Sequence, residues 1–156
     1  MWKWVCHIGA LVVAASAAAC TRAPAPEVYA PGLGEVMTLQ QMRHTKLWLA
    51  GQAGNWPLAA YELDELGEGF DDVIKFHPTH KDSPVAPKDL IPRMITQRLA
   101  DLRDTVTKED RDRFVQGYDA LTGACNNCHQ AMNFGFNRVQ RPESNPYPNQ
   151  AFAPAP

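Results

Sequence analysis

Tyr118-Asp119-Ala120-Leu121-Thr122-Gly123-Ala124-Cys125-Asn126-Asn127-Cys128-His129 is the stretch on which the fold turns. Phe114, Tyr118, Leu121, Cys125 and Cys128 recur at spacings of three or four, the period of one helix face, and His129 closes that face. Upstream, Thr107 offers a cap, and Glu109 and Asp110 place negative charge where the helix dipole is positive. The helix is expected to end near Phe134, ahead of Gly135.

The same period continues towards the N-terminus. Leu90, Ile91, Met94, Ile95, Leu99 and Leu102 predict a helix from Lys88 to Val106, with Asp89 as its cap and Pro92 in its first turn, where a missing N–H does no harm. His77 to Pro87 holds three prolines and reads as a loop. Before it, Asn55 caps a helix with Pro57 in its first turn, carrying Leu58, Tyr61, Leu66 and Phe70 towards Val73 and Ile74. A first helix runs from Glu35 to about Ala53, with Met37, Gln41, His44, Trp48 and Gly51 on its inner face. No segment alternates apolar and polar residues over strand-like lengths. The expectation is an all-α domain: an antiparallel four-helix bundle over 35–136, followed by an extended Pro/Asn-rich tail over 137–156.

The first residues read as an export signal over 1–19, with Lys3 ahead of the apolar run Ile8 to Ala19. That run has 12 residues, short of the roughly 20 that span a bilayer as a helix. Cys20, after three alanines, resembles the lipidated cysteine of a bacterial lipoprotein, although Ala17 stands where Leu is usual; cleavage near Ala19 without lipid is the competing account. Residues 20–34 then form a tether, Ala/Pro-rich at its start. A periplasmic protein held to the membrane by lipid on Cys20 is expected.

Without residues 1–19 the chain has 14 basic against 17 acidic side chains, so no basic face points to nucleic acid. Three cysteines remain in an oxidising compartment, which does not make a disulfide scaffold. No nucleophile–base–orienter set or phosphate loop is evident, and no enzymatic activity is expected.

Cys125-Asn126-Asn127-Cys128-His129 carries the chemistry. At this spacing two thiols can add to the two vinyl groups of a haem, with the next histidine beneath the iron. A thioredoxin-like pair would follow a strand and open a helix, whereas this motif lies late in one. A zinc site needs about four ligands, and the other candidates are scattered. One covalently bound haem c is therefore expected, with Cys125 and Cys128 as attachment points and His129 as iron ligand.

With that motif on a last helix, the chain resembles class II cytochromes c, the cytochrome c′ family and its low-spin relatives. The resemblance implies a four-helix bundle over roughly Glu35 to Phe136, and only the attachment motif is specific. The tail from Gln130 is long for that family, and Gln130 to Phe134 lacks its usual basic residue. The antiparallel register places residues Gln40 to His44 opposite the motif, a window holding Met42 and His44, both competent iron ligands. His44 shares the inner face and is the candidate sixth ligand; methionine and an open sixth position are the alternatives. Two axial ligands imply an electron carrier serving a redox partner protein. An open position implies a protein that binds nitric oxide or carbon monoxide, and a small peroxidase is a third class. Trp48, Trp56, Tyr61 and Phe114 read as core, His77 and His80 as solvated loop, and Arg138 and Arg141 as solvated or facing haem propionates.

Overall fold

The computed structural model describes residues 29–155; the expected signal, Cys20 and the N-terminal part of the tether lie outside them. The described chain is all-helical: α1 (Leu33–Gln52), α2 (Trp56–Phe76), α3 (Pro87–Met94), α4 (Thr96–Thr107) and α5 (Arg111–Ala131). No strand occurs among the described residues, and no helix there is long and apolar enough to cross a membrane. α1 packs on α2 and α4 on α5, while α2 lies against α3 and α4. Leu47, Leu63, Leu102, Phe114 and Tyr118 are fully buried where these pairs meet.

Three helix ends share one device. After α1, Gly54 takes φ 71°, its N–H reaches Gly51 O at 3.2 Å, and Asn55 N–H reaches Ala50 O at 2.9 Å. After α4, Glu109 takes φ 55°, with Asp110 N–H on Thr105 O at 3.0 Å. After α5, Asn133 takes φ 64°, with Phe134 N–H on His129 O at 2.7 Å. Each is a Schellman turn that satisfies carbonyls left over at a helix end. Two of the turns feed straight into the next helix. Asn55 Oδ1 accepts Leu58 N–H at 3.2 Å and Asp110 Oδ1 accepts Arg113 N–H at 3.0 Å. Asp110, and not Thr107, is therefore the cap of α5; Thr107 is the last residue of α4.

The helix expected over Lys88 to Val106 is broken. Ile95, at φ −106° and ψ −46°, separates α3 from α4. The helix starts earlier than expected, with Pro87 in its first turn and Ala86 at the cap, so Asp89 lies inside the first turn. Pro92 is then an interior residue, where it has no N–H for the Lys88 carbonyl and crowds it. Bonds from Ile95 N–H to Ile91 O (2.9 Å) and Leu99 N–H to Ile95 O (3.0 Å) carry the chain through, so α3 and α4 are halves of one interrupted helix. Four helical units result.

The buried stripe of α1 is Val36, Gln40, His44, Leu47, Ala50 and Gly51. It sits one position earlier than expected at several places, with Met37 and Trp48 half-buried at its edge and Gln41 exposed. At Gly51 the α5 ring of Phe114 comes so close that a Cβ there would lie 2.2 Å from it. Tyr61, expected in the core, is 57% exposed on the outer side of α2, whose interior is held by Ala59, Leu63 and Leu66.

The segment after α5 packs back on the helices. Arg141 pairs with Asp119 and lies over the Trp48 ring at 4.8 Å. Tyr147 takes Lys46 over its ring, and Phe152 is buried in the core. Tail residues 137–155 thus run from the end of α5 to the α1–α2 turn, where Asn55 Nδ2 meets Ala153 O at 3.4 Å.

Candidate functional site

Cys125, Cys128 and His129 open onto one cavity of about 400 Å³. Its walls are mostly apolar: Leu66, Phe70 and Val73 from α2, Ile91 from α3, Ile95 at the break, and Leu121 from α5. The start of α1 closes another side with Leu33, Met37, Gln40 and His44. Beyond α5, Phe134, Asn137 and Val139 complete the wall. Helical spacing alone brings the motif to this wall, since Leu121, Cys125 and Cys128 share a face.

His129 has a defined protonation pattern. Its Nδ1 lies 2.7 Å from the Asn137 carbonyl, which can only accept, so Nδ1 donates. In the neutral ring Nε2 then carries the lone pair, the state a metal-ligating histidine needs. Neither thiol is paired: burial pushes the Cys125 thiol up to about 12 and also raises that of Cys128. Thiols held protonated in this way are poor at thiolate chemistry such as disulfide exchange. Among the described residues no three His, Cys, Asp or Glu side chains gather into a metal cluster.

His44 is 3% exposed and lines the same cavity. Its Nδ1 meets the Tyr118 hydroxyl at 2.8 Å and its Nε2 meets Thr122 Oγ1 at 2.9 Å. Burial pulls its pKa down to about 4. Met42 does not line the cavity; Met37, half-buried on α1, does. The loop before α3 is less solvated than its composition implied. His77 Nε2 donates to Pro31 O at 2.7 Å, and His80 reaches the cavity wall with its ring edge-on to Phe134, centroids 5.4 Å apart. Among the described residues Arg138 is exposed away from any ion pair, while Arg141 is committed to Asp119. The sequence reading of His80 as solvated loop misses its place on the cavity wall, and Asn137 and Val139 carry no periodic signal.

Comparison with family models, with curated proteins and with solved structures finds no match.

Proposed function

We propose that this chain is a monohaem c-type cytochrome that carries electrons in the periplasm, with haem c bonded through thioethers to Cys125 and Cys128 and ligated by His129. One observation carries the reading: both thiols and a histidine with Nδ1 fixed as donor open onto a single apolar cavity. The antiparallel bundle with attachment on its last helix, as in class II cytochromes c, belongs to the same proposal, as do lipid on Cys20 and an unidentified redox partner protein.

Bound haem supplies one-electron chemistry. The chain supplies the rest. Leu66, Phe70, Val73, Ile91 and Ile95 exclude water, which is one of the protein's levers on a reduction potential. Asn137 holds the His129 tautomer through Nδ1. The sixth ligand comes from α1, where His44 and Met37 both line the cavity. Thr122 Oγ1 donates to Tyr118 O at 2.8 Å and so accepts from His44 Nε2. Ligation by Nε2 requires that proton to move to Nδ1, where the Tyr118 hydroxyl, donating to His44 O at 3.1 Å, can accept it. Met37 needs no such exchange.

A second reading, a five-coordinate haem that binds nitric oxide or carbon monoxide, is favoured by the hydrogen-bond partners already present at both His44 nitrogens.

Expression in a host that attaches haem c, followed by intact mass and a reduced absorption spectrum, tests the proposal. The mass of one haem should be added, and lost in the Cys125→Ala, Cys128→Ala double variant. Sharp α and β bands that broaden in either His44→Ala or Met37→Ala identify the sixth ligand. A wild type already high-spin promotes the gas-binding reading. A protein without added mass sinks both.

A further inference from the structure

The chain beyond α5 closes back over the attachment motif. Asn137 N–H returns to Phe134 O at 2.8 Å, and the Asn137 carbonyl faces His129 Nδ1. Two residues further, one side chain grips both backbone polar groups of Val139. Asn126 Oδ1 accepts Val139 N–H at 2.8 Å, and Asn126 Nδ2 donates to Val139 O at 2.9 Å. The side-chain amide pairs with the tail as a neighbouring strand would. Asn126 and His129 lie at i, i+3 on α5, so the amide and the imidazole present neighbouring anchor points to residues 137 and 139.

We propose that Asn126, between the two attachment cysteines, is a positioning residue that fixes the Asn137 carbonyl on His129 Nδ1 and so tunes how strongly the axial ligand would donate to the iron. The inference rests on the cytochrome reading above.

The bond from His129 to Asn137 is solvent-exposed, so water competes for both partners. A carbonyl on an unanchored tail would exchange with water; one fixed two residues away stays in place. A hydrogen bond from Nδ1 makes the imidazole a stronger donor to the metal, which favours the oxidised state and lowers the potential. The Arg141–Asp119 pair also tethers the tail, but two residues further along. Asn127, the other residue between the cysteines, is exposed and provides a control.

The test uses the full haem-loaded chain and four variants: Asn126→Ala, Val139→Pro, their double variant and Asn127→Ala. Intact mass reports attachment, a redox titration reports the potential, and hydrogen exchange reports the Val139 amide. Asn126→Ala should retain haem, lose protection at Val139 and show a raised potential. Val139→Pro, which deletes the gripped N–H, should shift the potential the same way, and the double variant by less than the sum of the two. Asn127→Ala should not move it. If Asn126→Ala does not fold, Val139→Pro alone carries the measurement. An unchanged potential despite lost Val139 protection overturns the proposal, as does a Val139 amide equally unprotected in wild type. A wild type without haem mass overturns the cytochrome reading, and the role in tuning with it, while exchange at Val139 still shows whether the grip exists.

Discussion

Tyr118 and His44 stack face to face across the α1–α5 contact, ring centroids 4.3 Å apart, with the phenol oxygen 2.8 Å from the imidazole Nδ1. The same hydroxyl is 3.1 Å from His44 O, and Thr122 closes the other side of the ring. Burial raises the Tyr118 pKa and depresses that of His44, so both are neutral in the folded protein. The contact joins the cavity wall to the aromatic core, where Trp48 lies 4.8 Å from Tyr118 between ring centroids.

This burial predicts acid sensitivity. His44 is depressed to about 4 in the folded chain against 6.5 when unfolded, so the unfolded state binds more protons between those values. Stability from this group is fully present above pH 6.5 and is lost as pH falls towards 4. The shift corresponds to about 3 kcal/mol, at 1.36 kcal/mol per unit. Glu62, 2% exposed with Lys46 at 4.0 Å, acts in the opposite sense: burial raises its pKa, so its contribution is lost as pH rises. Urea unfolding of wild type and His44→Gln at pH 7 and pH 4.5 isolates the histidine. The wild type should lose more stability on acidification than the variant; equal losses would show that His44 does not titrate as described.

Phe152→Ala tests the tail. This ring is 8% exposed within the core, although it lies 21 residues beyond the end of α5. Removing a buried phenylalanine ring costs about 3–5 kcal/mol. The urea midpoint should fall accordingly, whereas Ala153→Gly, exposed beside it, should leave it within about 0.5 kcal/mol. A loss under about 1 kcal/mol for Phe152→Ala would mean that the tail is dispensable to the fold.

Glu109→Gly should stabilise the protein. Glu109 holds φ 55°, a region in which a side chain costs about 1–2 kcal/mol and glycine none. Glycine gives back part of the gain through the greater freedom of its unfolded chain, so a net increase of about 0.5–1 kcal/mol is expected. A calorimetric melting temperature is sufficient to check it, and a decrease would place some compensating contact on the Glu109 side chain.

Helix period is local and was legible; capping was legible at Asn55 but not at Asp110 or Ala86, where Thr107 and Asp89 offered equally good local signals. Asn55 and Pro57 mark the start of α2, and the three-four spacing from Phe114 to Cys128 marks α5. The motif is also local: two cysteines and a histidine one turn apart on a helix must face the same way, whatever surrounds them. Other features needed the assembled chain. The inner face of α1 came out a residue early because it packs against α2 as well as facing the cavity, and two neighbours widen the buried stripe beyond what a single line of residues describes. Pro92 lies inside α3 and not in its first turn because Pro87 already begins the helix. The tail gave no periodic signal, since Pro- and Asn-rich chain has neither helix nor strand spacing. Its place is set by long-range partners: Asn126 for Val139, Asp119 for Arg141, His129 for Asn137. The sequence by itself determined which residues are competent for the chemistry and which segments are helical, because both follow from neighbours along the chain. Only the tertiary structure decided that Met37 and His44 share the cavity wall with His129 while Met42 does not. That depends on how α1 is rotated against α2 and α5, which is fixed by packing and close approaches such as Gly51 against Phe114.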